Sequence, residues 1–486
     1  MSVVPNSITG FNNGIDLVTH GDYQFAVWWT IAGELRIGRI ERGVQIWGVD
    51  HDEYEFAGSP RTALACPVEA DEHNYCAVGV DGLGRIHVQA NMHMDTMRAV
   101  KSVDPHTSDT WLATAGWASA TSDFPSIGSS CTYPMPLPLS DGTLWFLCRD
   151  VGVAGRGDTH FWTRGPAATT WSAATFIFQG IDVPGVTDSG LNDRTNWSAY
   201  PILPYIEAPG EANPGRMHMF WTWRTDTIAD DVLPGYTYSD DQGTSWKAID
   251  GTGLTLPITI LNNHVTRIPG SAYFTTLARS GNVVTAEADS AAHGYSVSDV
   301  IGVWAVDDTF TGSFTITSVG TPNVTSVRWS QTAADDASGG PAVSTRTLWS
   351  NGGATAVGED GLPNCVLTGS GSRIWVRHNG TAWTQSNVTN PLAGQTIHSR
   401  PGGMFWHRGA FWFLANGAPS TTRRPRLWRL DGQAQVCMGG NTGPSDWEPC
   451  PDPEAWRRFG VIETLTPDGN KPRVTTLGNH ARATAA

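Results

Sequence analysis

The stretch Tyr236-Thr-Tyr-Ser-Asp-Asp-Gln-Gly-Thr-Ser-Trp246 decides the fold class. It has the form Ser-x-Asp-x-Gly-x-x-Trp. In this Asp-box a serine and an aspartate can hydrogen-bond a hairpin turn, the glycine supplies a positive φ, and the tryptophan packs between strands. The motif signals fold and carries no chemistry of its own. Degenerate relatives stand at Phe161-Trp-Thr-Arg-Gly-Pro-Ala-Ala-Thr-Thr-Trp171 and Arg373-Ile-Trp-Val-Arg-His-Asn-Gly-Thr-Ala-Trp383. Aromatic, β-branched runs at 23–30, 34–40, 142–149, 216–224 and 410–415 each end in a turn signal. One hairpin unit of short strands repeated along the chain predicts an all-β architecture, a β-propeller.

Composition agrees. The 486 residues include 54 Gly, 30 Pro and 22 Trp with only 16% charged residues, and no long amphipathic pattern interrupts the short runs. The formal charge of -15 argues against a general basic surface for DNA or RNA, since phosphate neutralisation needs clustered Lys and Arg. No run of 18 apolar residues is present, and the N-terminal Met-Ser-Val-Val-Pro-Asn-Ser lacks a basic segment followed by an apolar one, so neither membrane insertion nor a signal peptide is expected. Seven cysteines, at 66, 76, 131, 148, 365, 437 and 450, are too few and too scattered for a disulfide scaffold. Cys437 and Cys450 flank a Gly/Pro-rich segment and could staple it, or join a histidine in a structural metal site; no cofactor is otherwise expected.

The chemistry-bearing residues begin with two histidines 20 positions apart, His73 in Asp-Glu-His-Asn-Tyr and His93 in Ala-Asn-Met-His-Met-Asp. Between them Ile86, Val88 and Ala90 alternate with His87, Gln89 and Asn91, which predicts a half-buried strand with one imidazole at its end. Two groups that titrate near neutrality can move protons on a substrate. Taken singly, each histidine also fits a structural role satisfied by backbone groups. His87, on the polar face, reads as a solvated or hydrogen-bonded strand residue. Trp221 and Trp223 read as core.

The order of landmarks resembles the BNR-repeat polysaccharide lyases of the propeller-type ulvan lyase kind. Those landmarks are Asp71-Glu-His-Asn, Gly84-Arg-Ile-His-Val-Gln-Ala-Asn-Met-His93, Thr132-Tyr-Pro-Met-Pro-Leu-Pro-Leu-Ser-Asp-Gly142 leading to Arg149-Asp150, Ser198-Ala-Tyr-Pro201, and Gly215-Arg-Met-His-Met-Phe-Trp-Thr-Trp-Arg224 before the Asp-box. The resemblance covers residues 10–278 and, more weakly, 341–430. It implies a seven-bladed propeller with a canyon across one face that cleaves uronate-containing polysaccharides by β-elimination. Such lysis needs a base for the C5 proton, an acid for the leaving oxygen, and cations or donors for the charge that develops on the carboxylate. By this resemblance His73 is the base, Tyr133 the acid or alternate base, and His93 with Arg149 the carboxylate neutralisers. Asn74, Asn91, Tyr200 and Arg224 are the expected substrate contacts. The bland alternatives are specific: Tyr133 and Tyr200 each precede a proline and could simply end or pack a strand, and Arg149 and Arg224 could make salt bridges between blades. A hydrolase would instead need two facing carboxylates, for which Asp71, Glu72, Asp95 and Asp150 are the candidates.

Residues 279–340 break the pattern with Ser/Thr/Gly-bordered short strands and read as a small inserted β module between propeller parts 1–278 and 341–430. The module looks like those that interrupt phage tail and fibre proteins. With no signal peptide, this suggests a chain carried on the surface of a virion or similar extracellular particle among other particle proteins, with a cytoplasmic location as the alternative. Residues 431–486 read as a loosely packed extension. The sequence therefore points to a propeller that binds and cleaves an acidic surface or capsular polysaccharide. The alternative is a capsule-binding spike or fibre with the same canyon and no turnover.

Overall fold

In the computed structural model the described residues are 15–29, 35–41, 52–55, 76–90, 96–125, 131–150, 157–180, 197–224, 232–262, 264–289, 293–305, 307–321, 323–346, 349–369, 372–388, 396–397, 403–407, 410–418, 424–430, 435–437, 450–451, 462–468 and 471–477. They form antiparallel strands and a few short 3-10 turns. The strands group in chain order into seven open sheets, at 15–55, 76–119, 131–178, 198–239, 349–387, 396–437 and 450–477, and one closed barrel of six strands at 271–345.

Consecutive open sheets pack face to face. Val27 and Ile37 of the first sheet meet Val78 and Val88 of the second, and Met97 and Ala99 of the second meet Leu144 and Phe146 of the third. Trp145 and Leu147 join Trp221 and Trp223 between the third and fourth. Phe220 and Tyr236 join Cys365 and Val376 between the fourth and fifth, and Val366 joins Phe413 and Trp428 between the fifth and sixth. Eight tryptophans, Trp221 and Trp223 among them, are less than 2% exposed. Truncating a side chain of that size in a core costs roughly 3–5 kcal/mol, so tryptophan packing holds these sheets together. Cys76, Cys131, Cys148 and Cys365 are buried.

The Asp-box folds as its residues dictate. Ser239 Oγ accepts the Gly243 N–H at 2.8 Å, Asp241 Oδ1 accepts the Ser245 N–H at 2.8 Å, and the Trp246 indole donates to the Gly243 carbonyl at 3.0 Å. Gly243 sits at φ +87°, and a Cβ there would stand 3.1 Å from Trp145 Nε1, so the turn is pressed against the third sheet. In the degenerate copy Asn379 takes the aspartate's part, its Oδ1 accepting the N–H groups of Thr381 and Ala382.

Three expectations are corrected. The strand Ile86–Ala90 is buried at every position, because the second sheet has a neighbour on each face; the polar side chains of a half-buried strand therefore become interior groups. The barrel strands run from 271 to 345, wider than the 279–340 window, because its first and last strands read like those of the flanking sheets and pair with each other, Ser271 opposite Thr345. Residues 431–486 are not merely a loose extension. Gln435–Cys437 completes the sixth sheet, and Ile462–Asp468 pairs antiparallel with Lys471–Leu477. Strands of this last sheet lie beside Ile15–His20 of the first.

Burial makes internal partners obligatory. Asp81 Oδ1 accepts the N–H groups of Leu83 and Arg85, while Oδ2 meets His87 Nε2 at 3.0 Å and Arg164 Nε at 2.8 Å, with all three side chains at most 1% exposed. Burial would raise the Asp81 carboxyl, but the hydrogen bond and charge of His87, with Arg164, hold it below the usual range. The pair ties the second sheet to the third. Asp81→Ala strands the Arg164 guanidinium in a dry interior, and a loss of roughly 3–5 kcal/mol is expected in urea unfolding.

His106 pins the first and second sheets together. Its ring packs edge-on against His20, Tyr23 and Phe25, with centroids 5.3, 5.3 and 5.0 Å away, and its carbonyl accepts from Arg39. Burial, aided by the charges of His20 and Arg39, pushes the imidazole down to about 4. An unfolded histidine titrates near 6.5, so below about pH 6.5 the unfolded chain binds a proton that the native ring refuses. Stability is full above that value and is lost as pH falls toward 4. Urea midpoints measured between pH 7.5 and 4.5 are expected to decline, and His106→Gln to flatten that decline.

Candidate functional site

The strand ends that share one edge of the sheets can be identified from the turns at the other. A Cβ on Gly82, in the first turn of the second sheet, would lie 2.6 Å from the Gly142 carbonyl, in the first turn of the third. The opposite ends, where Cys76 faces Ala90 and Cys131 faces Asp150, are therefore on one side of the molecule. Ser198 faces Arg224 at the matching end of the fourth sheet.

Four of the expected site residues come together at that edge. Tyr200 is the centre: the Arg149 guanidinium carbon stands 4.4 Å from its ring centroid, Arg224 stands 5.5 Å from it, and the Tyr133 ring lies 6.1 Å away, tilted by 58°. Arg149 is 7% exposed. Arg224, Tyr133 and Tyr200 are half-buried. Among the described residues no carboxylate pairs with either arginine, and the buried Nε of Arg149 has no described acceptor. A guanidinium this far from water is costly without a counter-charge.

Local backbone explains how Tyr133 reaches the cluster. The register between Cys131–Pro138 and Leu144–Asp150 slips between Leu147 and Arg149, so that Tyr133 and Pro134 together oppose Cys148. Tyr133 sits in this bulge at φ +58°. A left-handed tyrosine ahead of a proline, which itself favours extended backbone, costs on the order of 1–3 kcal/mol and turns the ring out of the regular strand alternation. Tyr133 therefore lies inside its strand and does not end it.

Sequence reasoning missed Gly157. It lies at φ +62°, and a Cβ there would come within 2.4 Å of Ser198 Oγ, 2.6 Å of Arg149 Nε and 2.7 Å of Arg149 Nη2. Its bare backbone makes room for the guanidinium beside Tyr200. The only signal was a glycine before the aromatic strand Asp158–Arg164, indistinguishable there from an ordinary turn residue.

His73, Asn74, Asn91 and His93 lie outside the described residues, as do Asp71, Glu72 and Asp95. By sequence His73 stands three positions before Cys76 and His93 three after Ala90, the pair that closes this end of the hairpin. His87 does not belong to the site, being held in the interior by Asp81. Among the described residues no group of three His, Cys, Asp or Glu is arranged to hold a metal ion. The side chains of Cys437 and Cys450 lie outside the described set, as does that of Asp150.

Comparison with solved structures finds the same fold in a polysaccharide lyase described as a PL25 ulvan lyase. The TM-score is 0.56 at 10% identity, covering 97% of this chain and 96% of the other. The same enzyme bound to -[GlcA(1-4)Rha3S]- aligns with a TM-score of 0.54 at 10% identity, covering 96% and 95%. No curated protein sequence matches. The sequence profile of the BNR repeat-containing family matches residues 23–284, more than half of the chain, and with it the Asp-box and the Tyr133, Arg149, Tyr200 and Arg224 cluster; this chain belongs to the BNR repeat-containing family.

Proposed function

We propose that this chain binds an acidic, uronate-containing polysaccharide across the edge that carries Tyr200, and cleaves it by β-elimination. The observation that carries the reading is the pair of guanidiniums, Arg149 and Arg224, set against one tyrosine ring with no described carboxylate to neutralise either, in a chain of net charge -15. An anionic sugar is the missing counter-charge. Further support comes from the fold shared with a lyase solved with a glucuronate-containing oligosaccharide. The seven open sheets are taken as the blades of one ring, closed where the last lies beside the first.

In this reading Arg149 and Arg224 hold the uronate carboxylate and stabilise the enolate-like charge that grows on it as the C5 proton leaves. His73 takes that proton. The electron pair forms the C4–C5 double bond, the C4–O bond breaks, and the departing oxygen collects a proton from Tyr133. His93 adds positive charge beside the carboxylate, Asn74 and Asn91 bind hydroxyls, and Tyr200 offers its exposed edge to the sugar. The barrel motivates a second reading, a particle-borne binder without turnover, because it interrupts the run of sheets with a module of a different architecture.

Absorbance at the unsaturated-uronate band is expected to rise when the protein is incubated with a panel of uronic-acid polysaccharides. Tyr133→Phe or His73→Ala should lower the rate at least 100-fold, in the range of a lost general acid or base. No rise with any of them, together with retention on an immobilised panel member, would leave the second reading. Gly157→Ala is expected to push the Arg149 guanidinium off its position and to cost roughly 100-fold in rate, with the larger part in kcat if Arg149 acts on developing charge. Unchanged kinetics in this variant would remove Arg149 from the site.

A further inference from the structure

A second pocket, of about 540 Å3, opens at the opposite ends of the strands, between the fifth and sixth sheets. Its walls come from the turn 358–360 after Trp349–Val357, the end of Ser372–His378, and the paired strands Gly403–His407 and Ala410–Ala418. The turn belongs to the same edge as the first turns of the earlier sheets, since a Cβ on Gly361 would stand 2.7 Å from the Ala212 Cβ in the first turn of the fourth. The pocket and the Tyr200 cluster therefore lie at opposite edges of the sheets.

Its lining is half aromatic and half hydrogen-bonding. Phe411 meets Trp375 edge-on at 5.9 Å and Trp406 edge-on at 4.6 Å, giving an angled apolar wall whose three rings are only half-buried. Arg377 lies 4.6 Å over Trp375 and donates its Nε to Thr384. Glu359 is exposed, and Asp360 accepts the Leu362 N–H through one oxygen. The Trp375 indole is already committed to Asn364 at 3.0 Å, so this ring is fixed in orientation.

We infer that this pocket binds a neutral pyranose unit of a polysaccharide, as a second carbohydrate site at the far edge of the sheets. The geometry supplies what such a ring needs: aromatic faces for its C–H side and fixed acceptors and donors for its hydroxyls. The charge selects the class. Among the described lining residues Glu359 and Asp360 outnumber Arg377, which disfavours a uronate or sulfate, while hydroxyls donate to carboxylates without penalty. The inference stands on this pocket alone and survives if elimination fails.

The test is saturation-transfer NMR on the full chain with glucose, galactose, mannose and rhamnose, each at roughly 10 mM, a range that detects millimolar contacts, and with glucuronate for comparison. At least one neutral sugar is expected to show transfer on its ring protons. Glu359→Ala and Arg377→Ala, both at exposed positions, should weaken it tenfold or more, while Arg149→Ala leaves it unchanged. Absence of transfer from all four neutral sugars overturns the inference. So does a signal that survives both pocket variants, one lost in Arg149→Ala, or a preference for glucuronate that depends on Glu359 and Arg377.

Discussion

The constraint on which the inner strands depend is burial of both sheet faces. A strand such as Ile86–Ala90 has no solvent side, so each polar side chain within it must find a partner inside the protein or be paid for in stability. Asp81, His87 and Arg164 answer that demand between the second and third sheets. Glu207, His218 and Tyr236 do so on the fourth, where His218 meets the carboxylate at 2.8 Å and the phenol at 2.7 Å. Burial keeps His218 below its usual range despite the Glu207 charge. These triads resemble catalytic relays in composition, but sealed interior groups of this kind act as inter-strand ties.

The same constraint confines chemistry to strand ends. With the faces closed, open polar groups can gather only where strands stop, and the two edges differ in charge. At one, Arg149 and Arg224 crowd a tyrosine with no described carboxylate on either. At the other, two carboxylates and one arginine border an aromatic wall. The first edge also holds the costly features, a left-handed tyrosine in a bulge and a glycine pressed against a guanidinium. Strain of this kind persists only where the surrounding structure holds it, and it gathers here beside two guanidiniums.

How far the sequence could be read depended on whether the signal was local. The Asp-box is local: Ser239, Asp241, Gly243 and Trp246 make their bonds within one turn, so its reading carries straight to structure. The gathering of Tyr133, Arg149, Tyr200 and Arg224 is not local, spanning two sheets, and came through the order of family landmarks. Alternation misled for Ile86–Ala90 because a period of two reports two different faces and cannot say whether the polar one meets water or another sheet. Gly157 was invisible because its role is to be absent where a neighbour's side chain must pass.

The barrel at 271–345 shows the same limit from another direction. Its edges blended into the flanking sheets in sequence because closure is a property of pairing, and the bond that defines it, Ser271 to Thr345, joins residues 74 apart. Yet it is not an independent appendage. Tyr273 and Val343 sit in the hydrophobic cluster that contains Trp221 and Trp246, so the module is anchored through the sheet that carries Tyr200. A load on the barrel would therefore be felt first by the fourth sheet, which supplies Tyr200 and Arg224. This coupling makes the barrel a part of the scaffold behind the candidate site, whatever else it contacts.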